Sequence, residues 1–330
     1  MLASQELREY ERSSSELRMR HVDIKLRNRD ISLILDVPDY GVIPRHDPTL
    51  STSQLLQIHT EFKKLLQPDL AKDDAFYKRC AAEVNVINLF FPDIKSETIR
   101  ICFTAWLVFV IAMDDILETL PPLDGQTALL DSIRILLSLP EEKRDACRVL
   151  QGHINEIRFL QGQIPNDLPT YLGIRTRTIA LNPFFEIIKA EFLPENNRLD
   201  AIWDKLETEV CRAAGLQNDL IGLERDLENG EPLNAVIVLM TSNGTALEEQ
   251  DDELFAQYIE QASAEHNRST AQAMELVSQM NYEIGATRSK EMVEVSRHII
   301  LMCETHLKWC TTAKRYSMKT DEVPSTTSID

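Results

Sequence analysis

Two acidic clusters in this chain have residue types and spacing suited to holding divalent cations. The first is Asp114, Asp115 and Glu118, which close the run WLVFVIAMDDILE. The second is Asn218, Asp219, Gly222 and Asp226 in NDLIGLERD, roughly a hundred residues downstream. Oxygen side chains at i and i+4 of a helix share one face. A carboxylate pair at the end of an apolar run is costly unless its charge is compensated, and a divalent cation compensates it well. Mg2+ with few protein ligands usually carries phosphate oxygens in its remaining positions. Each cluster also has a plain reading. The first could be a helix end emerging into solvent before Pro121-Pro122, and the second a solvated face with Glu224, Glu228 and Glu231. Two features count against the plain readings. Acids at a helix C-terminus oppose the macrodipole. A mid-helix glycine such as Gly222 costs about 1 kcal/mol against alanine, which implies close approach by something.

The elements that position these residues are helical. Apolar residues recur at spacings of three and four from Ser51 onward, as in Phe103, Trp106, Val110, Met113 and Leu117. The pattern predicts helices near 51–67, 72–91, 95–119, 125–138, 140–163, 167–193, 198–229, 231–242, 250–283 and 286–318. Pro92, Pro121-Pro122, Pro140, Pro165, Pro194, Gly230 and Gly244 punctuate them. No alternating strand pattern reaches convincing length, and no repeat is present. The expected organisation is an N-terminal arm over 1–50, partly ordered, one all-α domain over 51–318 with many long antiparallel helices, and a flexible tail over 319–330.

Composition narrows the function classes. The net charge of −18 argues against nucleic acid and anionic membrane surfaces as partners. An anionic substrate then needs metal ions and well-placed Arg or Lys to invert the local field. The six cysteines lack C-x-x-C spacing and read as reduced thiols of a cytoplasmic protein. The longest apolar run, Ile101 to Met113, is too short for stable membrane insertion. The opening MLASQELREYERSSSE has neither the apolar core of a signal peptide nor the look of a transit peptide. Asp73-Asp74 and Asp251-Asp252-Glu253 fall at expected helix starts and read as caps. The seven histidines show no paired ligand spacing, and phosphate-loop, dinucleotide and Gly-x-Ser-x-Gly motifs are missing.

Taken together the clusters resemble the metal motifs of class I terpene synthases. The family's aspartate-rich D-D-x-x-D/E motif is met by Asp114, Asp115 and Glu118. Its N-D-x-x-S-x-x-x-E motif is met by Asn218, Asp219, Gly222 and Asp226, with glycine in place of the hydroxyl residue and aspartate in place of glutamate. Tyr171, Arg175 and Thr178 resemble the segment of the diphosphate-sensing arginine; Arg177 is a second candidate, and Thr178 at the family's spacing favours Arg175. Arg315-Tyr316 resembles the C-terminal diphosphate-binding pair, with Trp309 six residues before it, and Asn234 falls where the family often has asparagine.

The resemblance spans about residues 50 to 318 and implies the class I terpenoid synthase fold. It implies ionisation of a linear prenyl diphosphate, most often farnesyl diphosphate, and cyclisation of the carbocation to a sesquiterpene. Three Mg2+ ions are expected, held by Asp114, Asp115, Glu118, Asn218, Gly222 and Asp226, with Gly222 leaving room for a water. Arg175, Arg225, Arg315 and Tyr316 are expected on the diphosphate, and Phe90 and Trp309 against the hydrocarbon; Phe91, Phe103, Trp106, Phe184 and Phe185 are further aromatic candidates. Two rival readings stay open: a chain-elongating prenyltransferase on the same fold, and an inactive helical protein that binds prenyl diphosphates. Monomer and homodimer are both compatible with the sequence.

Overall fold

The computed structural model describes residues 17–26, 29–39, 52–72, 75–117, 120–138, 144–194, 201–244, 252–287 and 290–312. Glu118, Arg315, Tyr316 and the expected tail lie outside them. Among the described residues there are eleven α-helices: α1 (Thr52–Leu66), α2 (Phe76–Phe90), α3 (Glu97–Leu117), α4 (Pro122–Ser138), α5 (Arg144–Leu160), α6 (Leu168–Thr178), α7 (Asn182–Phe192), α8 (Ala201–Asn229), α9 (Ala235–Ser242), α10 (Asp252–Thr287) and α11 (Lys290–Thr312). The expected helices all fall on these, with shifted ends.

The expected single helix over 167–193 is two. Ala180 takes a positive φ of 59°, a strained conformation for a residue with a Cβ. Pro183 begins the next helix and restricts the residue before it. The break is held from outside, since the Trp106 indole N–H donates to the Ala180 carbonyl at 3.0 Å. Asp167 caps α6 by accepting from the Thr170 amide at 2.8 Å, and Asn234 caps α9 by accepting from the Val236 amide at 3.0 Å.

The expectation of no substantial strand is corrected. β1 (Leu17–Leu26) and β2 (Arg29–Pro38) pair antiparallel from Leu17↔Pro38 to Leu26↔Arg29. Val22, Ile24, Leu26, Leu33, Leu35 and Val37 are buried. His21, Asp23, Ser32 and Ile34 are exposed. The polar outward face masks the period-two signal in any average over the segment. The hairpin lies on β2's side against α10 and α11. Arg18 and Arg20 both reach Glu304 of α11, at 2.5 and 2.6 Å.

The core lies on both sides of α8. On one side Phe91, Phe103, Phe185 and Trp203 pack with residues of α10 and α11. On the other, Leu216, Leu220 and Leu223 pack with α6, α9, α10 and the hairpin. Lys189, almost fully buried, pins α7 to α8 through an ion pair with Glu207. None of the six cysteines is in a disulfide, and among the described residues no helix is long and apolar enough to cross a membrane.

Leu35 is fully buried and Ile34 beside it is 46% exposed. Leu35→Ala is expected to destabilise the protein by about 2–5 kcal/mol, and Ile34→Ala by less than about 0.5 kcal/mol. Urea unfolding followed by circular dichroism measures both; equal losses would mean that the hairpin contributes nothing through its inner face.

Candidate active site

A cavity of about 1260 Å³ opens between α2, α3, α5, α6, α8 and α11. Asp114 reaches its wall from α3, Arg175 from α6, and Asn218, Arg225 and Asp226 from α8. Phe90 and Trp309 line it too, edge to face with ring centroids 5.6 Å apart. Phe184, Leu107, Val110 and Ile111 add hydrocarbon surface.

The remaining expected residues fall elsewhere. Asp115 is exposed and accepts a hydrogen bond from Gln67 Nε2 at 3.1 Å. One helical residue turns by about 100°, which takes Asp115 off the face of Asp114. Gly222 is buried within α8, one turn from both Asn218 and Asp226, and does not line the cavity. Phe91, Phe103 and Phe185 belong to the packed core. Trp106 is turned to the Ala180 carbonyl.

Arg175 is held by an anchor that sequence reasoning left out. Its Nη2 lies 3.0 Å from Asp219 Oδ1. The other oxygen of Asp219 accepts from the Tyr171 hydroxyl at 2.7 Å and from the Ala235 amide at 3.1 Å. Burial raises the Asp219 carboxyl above its ordinary value, against the opposing pull of Arg175. Burial and the neighbouring carboxylate likewise push the Tyr171 phenol well up, so it stays a proton donor. Asn234, fully buried, donates to the Asp219 carbonyl at 2.7 Å and to Asp226 Oδ2 at 2.9 Å. Arg225 takes Asp226 Oδ1 with Nε and Nη2, at 3.1 and 2.7 Å. Arginine and carboxylate thus sit pre-paired on the wall of α8.

Gly215 explains how Arg175 fits. A Cβ built there would lie 2.8 Å from Arg175 Cγ, closer than side chains tolerate. The glycine is a clearance for the arginine stem.

His153 and Glu156 of α5 form a further charged pair on the cavity wall, Nδ1 to Oε2 at 2.8 Å. Burial lowers the imidazole, but the carboxylates of Glu156 and Asp114 outweigh it and hold His153 above its ordinary value. Burial raises Glu156, but His153 and Arg175 hold it lower. The i, i+3 spacing was visible in the sequence; without a second metal-type ligand nearby it carried no signal.

Residues 143–257 match the family model described as terpene synthase family 2, C-terminal metal binding. That stretch carries Arg175, Asn218, Arg225 and Asp226. The chain superposes on linalool/nerolidol synthase from Streptomyces clavuligerus in complex with 2-fluorogeranyl diphosphate, with a TM-score of 0.63 and 12% identity, over 83% of this chain and 99% of that one. The matched stretch is similar to the metal-binding region of the terpene synthases, and the fold of the chain is the class I terpenoid synthase fold. The same fold recurs in α-eudesmol synthase, with a TM-score of 0.60 and 15% identity over 82% of this chain and 100% of that one. It recurs also in the structure described as hedycaryol apo, at 0.56 and 16% over 82% and 99%. No curated protein matches the sequence. The metal-binding character of the matched stretch implies a divalent cation.

Gly215→Ala tests the clearance. The helix preference for alanine, about 1 kcal/mol, is outweighed by crowding of the Arg175 stem and loosening of its pair with Asp219, so the unfolding midpoint should fall modestly. The methyl group displaces the Arg175 stem, and kcat/KM for a prenyl diphosphate should fall by about 10- to 100-fold. Activity within about twofold of the parent would show that Arg175 does not need its present position.

Proposed function

We propose that the chain is a Mg2+-dependent cyclase that ionises a linear prenyl diphosphate, farnesyl diphosphate in the first place, and closes the carbocation to a sesquiterpene. The observation that carries this reading is a single cavity in which oxygen donors and guanidinium groups meet hydrocarbon and aromatic side chains. A protein of the same fold is described as binding 2-fluorogeranyl diphosphate, which supports a prenyl diphosphate as the substrate class.

The donor set fits Mg2+. Asp114, Asn218 and Asp226 offer hard oxygen ligands from two walls of the cavity. Among the described residues no three acidic, histidine or cysteine side chains converge on one point. Few protein ligands per ion is the usual situation of Mg2+ bound with phosphate oxygens and water. Bound Mg2+ supplies charge neutralisation that makes diphosphate a leaving group.

The chain's own groups do the rest. Arg175, fixed by Asp219, presents a preorganised guanidinium to the diphosphate oxygens. Arg225 can exchange Asp226 Oδ1 for a diphosphate oxygen, which frees that carboxylate for a cation. The C–O bond breaks with its electron pair going to the diphosphate oxygen. Phe90, Phe184 and Trp309 then offer aromatic surface to the allylic cation and exclude water. Loss of a proton from carbon next to the final cationic centre leaves the alkene. Arg315, Tyr316 and Glu118 keep their proposed places on diphosphate and metal by resemblance alone.

Incubation with geranyl, farnesyl and geranylgeranyl diphosphate, with and without Mg2+, followed by gas chromatography–mass spectrometry, tests the reading. A cyclic product from farnesyl diphosphate that disappears without Mg2+ is expected. Asp114→Asn and Asn218→Ala are expected to lower turnover by at least about 100-fold with helicity unchanged. Binding of a prenyl diphosphate with no product from any of the three would replace the cyclase reading by the inactive binding protein.

A further inference from the structure

Behind the Phe90–Trp309 pair lies a chain of hydrogen bonds, buried from His306 to His266 and open toward solvent at Asn267, that the reaction above does not use. The His306 ring packs against both aromatics, with centroids 5.6 Å from Phe90 and 5.4 Å from Trp309. His306 Nδ1 lies 2.9 Å from Gln217 Oε1. Gln217 Nε2 lies 2.8 Å from the Cys303 carbonyl and 2.9 Å from His266 Nε2. His266 Nδ1 lies 2.9 Å from Asn267 Oδ1. Asn267 in turn grips β2, accepting from the Asp36 amide at 2.8 Å and donating to the Ile34 carbonyl at 3.0 Å.

The backbone groups fix every proton in this chain. Only an amide nitrogen can donate to the Cys303 and Ile34 carbonyls, so the orientations of Gln217 and Asn267 are set. Gln217 Nε2 then donates to His266 Nε2, which must be bare. His266 therefore carries its proton on Nδ1 and donates to Asn267 Oδ1. Gln217 Oε1 can only accept, so His306 also carries its proton on Nδ1, and its Nε2 keeps a lone pair. Burial pushes His266 down to about 4 and His306 to about 3, so both rings are neutral near pH 7.

We propose that His306 is a specificity-determining residue, locked in one tautomer and one position by a hydrogen-bonded chain through Gln217, His266 and Asn267 to the N-terminal hairpin, and that the hairpin thereby sets how Phe90 and Trp309 face the carbocation. The inference rests on the cyclase reading. The chain transmits by position, since the Cys303 carbonyl keeps the Gln217 amide in one orientation. Without an acceptor at Asn267, the Nδ1 proton of His266 loses its partner and the ring loses its tie to β2. His266 then shifts, and Gln217 and the His306 ring shift with it. Attraction between a cation and an aromatic face depends steeply on placement. A threefold change in branching between competing cation steps needs only about 0.7 kcal/mol.

The test uses the full chain with farnesyl and geranyl diphosphate and Mg2+. It reads product ratio, diphosphate release and thermal unfolding for Asn267→Leu, Asn267→Asp and Leu35→Ala. Asn267 does not line the cavity. With Asn267→Leu the ratio of main product to by-products is expected to fall by about threefold, while diphosphate release stays within about twofold. Asn267→Asp keeps an oxygen for both His266 and the Asp36 amide, and is expected to recover at least half of the lost selectivity. Nitrogen NMR of the two imidazoles is expected to show protonated Nδ1 and bare Nε2 in the parent, and a shifted His266 Nδ1 signal that has lost its acceptor in Asn267→Leu. Should Asn267→Leu fail to fold, Asn267→Ser, too short to reach both partners, takes its place with the same expectation. An unchanged product ratio in a parent that cyclises overturns this inference alone. Leu35→Ala loosens the strand that Asn267 grips and is expected to shift the ratio in the same direction by no more than Asn267→Leu; a larger shift would mean that the hairpin acts by another route and overturns it. A parent that makes no product from either diphosphate overturns the cyclase reading as well.

Discussion

One buried carboxylate governs the arrangement around the cavity. Asp219 is almost fully enclosed and still satisfies a guanidinium, a phenol and a backbone amide, drawn from α6 and from the start of α9. A charge in such a place is tolerable only while its partners are present, and removal of one leaves the penalty uncompensated. The consequence runs outward. Arg175 is fixed because Asp219 needs it, Gly215 is small because Arg175 passes over it, and Asn234 links this anchor to Asp226. The acidic second cluster thus divides its work within a few residues: Asn218 and Asp226 face the cavity, and Asp219 faces the protein.

The cavity sets cations among the acids of a strongly acidic molecule. The chain carries a net charge of −18, yet Arg175, Arg225 and His153 stand on the cavity wall. Each is matched by a carboxylate on the same or a neighbouring helix: Asp219, Asp226 and Glu156. Such pre-paired groups let an anion and its cations enter by exchanging partners. No bare charge has to be buried at any stage, which suits a site where burial raises the cost of every unpaired ion.

The sequence made the helices legible because their apolar stripes repeat every three or four residues and proline and glycine end them. It made Asp114, Asn218 and Asp226 legible because their spacing is local. What it hid was non-local or masked by averaging. The hairpin's inner face, Val22, Ile24, Leu33, Leu35 and Val37, is diluted by charged neighbours at every second position. The break at Ala180 depends on a tryptophan some seventy residues away in sequence, and a lone Asn-Pro gave no cause to divide a helix. Asp115 looked equivalent to Asp114 in the motif and was separated from it by a single step of helical rotation. Gly215 looked ordinary until Arg175 was placed above it.

The position of α8 between two cores has a dynamic corollary. Its buried side chains face packing partners on both sides, so its amide hydrogens can exchange only when most of the molecule opens. The opposite wall is built differently. α4, which follows Asp114 in the chain, buries Gly125 and Leu129 among its described residues, and the cluster it shares with α5 is small. Local opening there costs far less than opening of the whole. The Asn218–Asp226 wall therefore acts as a fixed anvil, and any breathing of the cavity falls to the side that carries Asp114.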